Sequence, residues 1–414
     1  MVEQEKSDMK YNMYSDSPIE NASLFYFETY SDVISEIILN KENKTPFTIA
    51  INGEWGRGKT TLMKTIQTTL INSEKSKNDD NRKVKCVWFD AWKYSETDSM
   101  LAALVLEIFI EMERNGLINK LKSVLAGSDK KWNFIKVFAD IVKILGAGIV
   151  PLPEFDKWLE DSAYKKHLSF YVHFHDYMET IIKTFVLDEK EDGGGKFSDE
   201  EGVLVIFIDD LDRCPPKKIA KVLETINLFF DQEGCFFVFG ADISLISKAI
   251  DVEYKPIGFS GEDYIKKMVQ LKFDLPAIGE VDIINFIKKE LNFEDEFEPN
   301  FELIKEGLER NQREIKRYLN SLNLMRMVGK SISKEKYEEE LIIKWNILNF
   351  ISPDFIKEIN DEQKIIIQME EIAGMEKDRI EKYIELLDEP YKGLINNFKP
   401  VSYTHLTLPT TPYV

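Results

Sequence analysis

The sequence predicts an α/β fold in which a parallel sheet is flanked by helices, and three observations predict it. Residues Gly53-Glu-Trp-Gly-Arg-Gly-Lys-Thr60 place a glycine, four residues, and then Gly58, Lys59 and Thr60, the spacing of a phosphate-binding loop. The apolar run Phe47–Ile51 precedes this loop as a strand, and Thr61–Leu70 follows it as a helix, the order such a loop requires. Further on, Gly202–Asp210 is an apolar run that ends in two carboxylates. An unbroken apolar strand suits a sheet covered on both faces.

The elements follow in order. Residues 1–22 are polar and read as a loose N-terminal segment, and Leu24–Leu39 has helical spacing. After the loop and its helix comes the polar linker Ser73–Arg82, then a second strand over Lys83–Asp90, a turn, and an amphipathic helix over Met100–Met112. The span from about 115 to 200 reads as a helical insertion between the two motifs, closed by the acidic, glycine-rich stretch Glu189–Ser198. A strand over Val203–Ile208, a helix over Lys217–Phe230 and a strand over Cys235–Gly240 complete the α/β domain, which spans 23–280. Helical periodicity then runs through 281–398, a helical lid or C-terminal domain in which Leu319, Leu322 and Met325 are core residues. Residues 399–414, uncharged from Val401 and broken by prolines, are expected to be a non-native tail at a truncated reading frame, with a natural C-terminal region missing.

Each residue of the loop has a mechanical reason. Glycines let the backbone form a nest of N–H groups around phosphate oxygens, and the following helix adds a partial positive charge at its N-terminus. The Lys59 ammonium would reach the β- and γ-phosphates and is expected to lie outside the core, while the Thr60 hydroxyl would ligate Mg²⁺. Asp209, at a strand's C-terminal end, would hold the same metal, and Asp210 would orient or deprotonate the attacking water. Arg213 would either stabilise charge at the γ-phosphate or form a salt bridge with Asp210 or Asp212. Asp242 would either sense the γ-phosphate or cap a helix. Trp55 and Trp92 would either contact a ligand or pack around the loop. His173 and His175 have no evident third metal ligand.

Composition narrows the class. The net charge of −19 argues against broad nucleic-acid binding over the whole surface. Three cysteines, Cys86, Cys214 and Cys235, fit neither zinc spacing nor a disulfide framework, which points to a reducing cytosol. The N-terminus carries no apolar signal segment. The stretch 132–153 is interrupted by Lys136, Asp140 and Lys143, so an amphipathic helix packed on protein is expected before a membrane-surface helix, and a bilayer span is not.

The combination resembles one family. Gly53–Thr60 is similar to the Trp-Gly phosphate loop of the KAP family of P-loop NTPases. Phe89-Asp-Ala-Trp-Lys-Tyr94 resembles its aromatic segment after the second strand, and Ile208-Asp-Asp-Leu-Asp-Arg-Cys214 resembles its acidic box. Tyr264–Pro276 and Asn311–Asn320 resemble its later segments, so the likeness covers about residues 20–330. Asp90 stands where the family often has asparagine, Gln312 stands where it often has proline, and the membrane helices of many bacterial members have no equivalent between the motifs here.

The resemblance implies a P-loop NTPase that takes ATP with Mg²⁺. The nucleotide would be held by Gly53, Glu54, Trp55, Gly56, Arg57, Gly58, Lys59, Thr60 and Thr61, and the metal by Thr60 and Asp209. Asp210, Arg213 and Arg313 would be the catalytic set, with Arg313 sensing the nucleotide from a helical lid or lying on a solvated basic face with Lys316 and Arg317. Hydrolysis would drive assembly or remodelling of a partner protein, with defence against mobile elements as one setting. The alternative is a nucleotide-held switch or scaffold with little turnover. A homo-oligomer and peripheral association with the inner face of the membrane, from the cytoplasm, are further expectations.

Overall fold

The computed structural model describes residues 13–16, 24–75, 81–95, 100–117, 178–187, 198–228, 233–254, 258, 260–290, 311–332, 346 and 349–350. The chain divides into two compact units, one of Ile19–Pro276 and one of Met1–Pro18 with Ala277–Val414.

The first unit is built on five parallel strands: β1 (Phe47–Asn52), β2 (Lys83–Asp90), β3 (Gly202–Asp209), β4 (Cys235–Ala241) and β5 (Leu271–Asp274). Their order across the sheet is β2-β3-β4-β1-β5. Every residue of β3 and β4 is buried, which accounts for their unbroken apolar sequences. Because all strands run the same way, their C-terminal ends share one edge, the usual ligand edge of an open α/β sheet. Register brings Asp90 beside Asp209, and Asn52 beside both Ala241 and Asp274, along that edge. The loop strand β1 and the acidic strand β3 are not neighbours, since β4 lies between them.

β5 is the strand that periodicity did not reveal. It has four residues, Leu-Lys-Phe-Asp, and sits at the sheet's margin with Lys272 and Asp274 exposed. An edge strand pairs on one side and needs apolar residues on alternate positions alone, too short a pattern to stand out from a turn.

Six helices cover the sheet among the described residues of this unit: α1 (Phe27–Leu39), α2 (Lys59–Lys75), α3 (Met100–Arg114), α4 (Pro216–Leu228), α5 (Ile243–Tyr254) and α6 (Gly261–Met268). α2 starts two residues before its sequence-predicted onset, at Lys59. α4 begins on Pro216, whose missing N–H costs nothing in a first turn. α6 is opened by Ser260, which accepts the Asp263 N–H. The core joins the buried faces of β2, β3 and β4 to α3, α4, α5 and the buried side chains of Ile181, Ile182, Phe185 and Leu187. These four belong to 178–187, the longest part of the predicted insertion that the structure describes.

In the second unit, α7 (Glu280–Asn285) leads into a wider turn over Phe286–Glu290, and α8 spans Gln312–Ile332. Asn311 caps α8 by accepting the Arg313 N–H at 3.0 Å. Ile315, Tyr318, Leu319 and Leu322 are fully buried, the i, i+3, i+4, i+7 stripe of a helix with one covered face. Met325 is only partly buried. The stretch 132–153, His173, His175 and the tail 399–414 lie outside the described residues. Among those described, no helix is long and apolar enough to cross a membrane.

Candidate functional site

The site grows from the C-terminal ends of β1, β3 and β4. Where β1 ends, the chain turns through Gly56 (φ 84°) and Gly58 (φ 95°) before α2 begins. Both lie in the left-handed region, which glycine enters without steric cost. The first intrahelical bond, Leu62 N–H to Gly58 O at 3.0 Å, fixes the start of α2, and the N–H groups of that first turn have no partner within the helix. A methyl at Gly240 on β4 would meet Met63 Sδ at 2.5 Å and Lys59 Cβ at 3.3 Å. Glycine there lets the head of α2 lie close against the sheet.

Lys59 is buried, though it is no member of the hydrophobic core. Its ammonium donates to Gly53 O at 2.9 Å and Glu54 O at 3.2 Å, and pairs with Asp212 Oδ2 at 3.1 Å. Those two side chains are 8% and 7% exposed. A buried ammonium needs acceptors on several sides, and the carbonyls of its own loop supply two of them. Thr60 Oγ1 donates to Asp209 Oδ1 at 3.1 Å across 149 residues of sequence. Thr61 is buried, whereas Trp55 is half exposed. Arg57 Nε and Nη2 donate to Glu54 Oε2 at 3.0 and 2.7 Å on the open side of the loop.

The acidic box is a strand end followed by a tight turn. Asp209 closes β3 and also accepts the Asp210 N–H at 3.0 Å. Asp210 then adopts φ 55° and precedes a single 3₁₀ turn, Leu211–Arg213. That reversal sends neighbouring side chains in different directions. Burial raises the Asp209 carboxyl above the ordinary range, opposed by its hydrogen bonds from Asp210 and Thr60. Burial, with the Asp209 charge beside it, pushes Asp210 up to about 6. Asp90, at the end of β2, adds negative charge to both and accepts the Lys93 N–H at 3.0 Å.

Arg213 pairs with Asp210 and not Asp212, with Nε 3.0 Å from Asp210 Oδ1. Its guanidinium also stands 5.8 Å from the Trp55 ring and 6.0 Å from the Trp92 ring, within cation–π range. The two indoles therefore lie near the same arginine, and both remain half exposed. Asp242 caps α5: Oδ1 accepts the Ser244 N–H at 2.9 Å, the Ser244 hydroxyl at 2.7 Å and the Leu245 N–H at 3.3 Å. Its own N–H donates to Asp212 Oδ2 at 3.2 Å. Arg313 belongs to the second unit, where Nε lies 3.6 Å from Asp16 Oδ2.

The family model for the KAP family P-loop domain matches residues 27–329. The chain belongs to the KAP family. It carries that family's nucleotide-binding P-loop, and the loop, the acidic box and the aromatic segment 89–94 all fall within the matched region. An uncharacterised protein of Methanocaldococcus jannaschii is 26% identical over 176 residues, which are 38% of this chain and 90% of that protein. The kinase D-interacting substrate of 220 kDa from Rattus norvegicus is 29% identical over 87 residues, 20% of this chain and 5% of that protein. Among solved structures, the Aeropyrum pernix ORC2 protein in its ADPNP–ADP complexes is similar with a TM-score of 0.39 at 12% identity, over 94% of this chain and 87% of that one. Drosophila ORC bound to DNA gives 0.41 at 10% identity, over 96% and 77%.

Two KAP-domain residues at this edge were not singled out by sequence. Asp212 was weighed only as a partner for Arg213, yet it faces Lys59. Asn52, the last residue of β1, donates to Asp274 Oδ1 at 2.6 Å and accepts the Ile243 N–H at 2.9 Å, joining β5 and the head of α5 to the loop strand. The local signal for Asn52 was a polar residue at a strand end, and for Asp212 its place in the acidic box 208–214.

Proposed function

We propose that this KAP domain binds ATP with Mg²⁺ through Gly53–Thr61 and hydrolyses it slowly, coupling the cycle to assembly or remodelling of a protein partner. The observation that carries this reading is the Thr60–Asp209 pair at 3.1 Å, set at the head of a helix beside a buried lysine. A hydroxyl and a carboxylate are the oxygen donors a hard divalent cation takes, and Mg²⁺ commonly completes its shell with substrate phosphates and water. Among the described residues there is no group of three His, Cys, Asp or Glu side chains that could cage a metal, which suits a cation that arrives with a triphosphate. When bound, Mg²⁺ would neutralise charge on the phosphates. Lys59 would exchange loop carbonyls for phosphate oxygens, and the N–H groups of the loop and of the first turn of α2 would bind the rest. Asp210 would take a proton from the attacking water at a carboxylate oxygen. Arg213 would supply positive charge to the transferring group.

A switch that holds nucleotide and turns over rarely is the second reading. It is favoured by the Arg213–Asp210 pair, which engages the proposed base. A cytoplasmic setting with peripheral attachment to the membrane's inner face, a homo-oligomeric state and a role in defence are parts of the same proposal. Calorimetry with ATP and Mg²⁺, followed by turnover assays with and without candidate partners, tests it. ATP binding that Mg²⁺ strengthens is expected, and failure to bind any nucleoside triphosphate would end it.

A further inference from the structure

We propose that Asp212 is the resting counter-ion of Lys59, and that the phosphates of an incoming nucleotide compete with it for the ammonium. The inference rests on the nucleotide-binding reading and adds to it a residue that sets affinity. Three observations support it. Lys59 Nζ lies 3.1 Å from Asp212 Oδ2, and both side chains are under a tenth exposed. Lys59 Nζ also donates to two carbonyls of its own loop, Gly53 O and Glu54 O, so the lysine is folded back on the loop that would cradle phosphate. Asp212 Oδ2 also accepts the Asp242 N–H at 3.2 Å, and Asp242 caps α5 through Ser244 and Leu245.

Asp212 thus joins the loop lysine to the head of α5. An ammonium drawn toward phosphate leaves Asp212 a buried carboxylate with one backbone donor, an unfavourable state for the charge. That cost falls on the occupied site and lowers nucleotide affinity. It also gives Asp212 a reason to pull harder on the Asp242 N–H once the site fills, so that occupancy is felt at the β4–α5 junction. Asp209 and Asp210 do not play this part, because the turn after β3 directs Asp209 to Thr60 and Asp210 to Arg213.

The test is ATP affinity by calorimetry in the full chain, as a double-mutant cycle with Lys59. Asp212→Asn removes the charge and keeps an oxygen for the Asp242 N–H. It is expected to bind ATP about tenfold more tightly than wild type, the scale of one competing charge contact. In the Lys59→Ala background the same substitution is expected to leave affinity unchanged. Adenosine, which has no phosphate, is expected to bind wild type and Asp212→Asn alike. Should Asp212→Asn not fold, Asp212→Ser retains an acceptor for Asp242 and is read in the same way. Equal or weaker ATP binding by a folded Asp212 variant would overturn the inference, as would an equal gain without Lys59. Wild-type protein that binds no ATP, or Lys59→Ala that binds it as well as wild type, would instead remove the nucleotide reading and the inference with it.

Discussion

Arg213 Nε lies 3.0 Å from Asp210 Oδ1, and the same guanidinium stands within cation–π range of both Trp55 and Trp92. The proposed base and a proposed catalytic cation are therefore paired with each other. This pairing ties the chemistry of Asp210 to the state of Arg213.

Asp210→Asn should retain ATP and turn it over at least tenfold more slowly, because the amide keeps the shape and removes the base. In the wild type, turnover should rise with pH through about 6, where burial and the Asp209 charge place the Asp210 carboxyl. Stability should move in the opposite sense. Between the ordinary carboxylate value of 3.8 and about 6, the folded state keeps a proton that the unfolded chain has lost. The contribution of this group is thus full below about 3.8 and disappears as pH rises past about 6. The Tm of Asp210→Asn relative to wild type should climb across that window. A flat difference between pH 4 and 7, by thermal melts, would show that Asp210 does not titrate as described.

Removing Arg213 should move the acid limb of the rate profile. Its positive charge opposes the upward pull on Asp210, so Arg213→Gln should raise the apparent pKa of turnover by roughly half a unit or more. An unmoved limb, with turnover reduced, would assign Arg213 to the transferring group alone.

Lys59→Ala should weaken ATP binding at least about tenfold. Unlike the outcome expected from sequence, it should also destabilise the unliganded domain, by on the order of 3 kcal/mol, since Asp212 is left buried without its cation. Adding Asp212→Asn to Lys59→Ala should recover part of that loss. Denaturant titration of the two variants provides the comparison, and a Lys59→Ala protein as stable as wild type would mean that the pair contributes nothing in solution.

Arg82 holds three segments together away from the site. It donates to Ile38 O at 2.6 Å, Asn43 O at 3.0 Å and Asp199 O at 3.0 Å, and its guanidinium stands 4.9 Å from the Phe236 ring. Burial lowers its pKa to about 10, which leaves it charged at neutral pH. Arg82→Ala strands three carbonyls and should cost at least about 3 kcal/mol of stability, at 1–3 kcal/mol for each buried group left without a partner. Arg82→Lys should recover little, because an ammonium cannot span the three acceptors as the planar fork does. Denaturation midpoints near wild type for either variant would count against this role.

The loop, the helix it feeds, the acidic strand and the family are all legible in the order of residues along the chain. Each is a local pattern: glycines where φ must be positive, an unbroken apolar run where a strand is covered on both faces, carboxylates where that strand ends. Which charged group meets which emerges only once the chain is folded. Asp209, Asp210 and Asp212 are near-equivalents in sequence, yet the left-handed residue Asp210 and the 3₁₀ turn after it turn them toward Thr60, Arg213 and Lys59 respectively. Asp242 became a helix cap, and Leu271–Asp274 became a fifth strand beside β1, because strand order and edge position depend on packing across the sheet. Spacing along the chain fixes which residues share an element. Ion pairing is set by distances of about 3 Å between elements, and those depend on β4 lying between the strand that carries the loop and the strand that carries the acids.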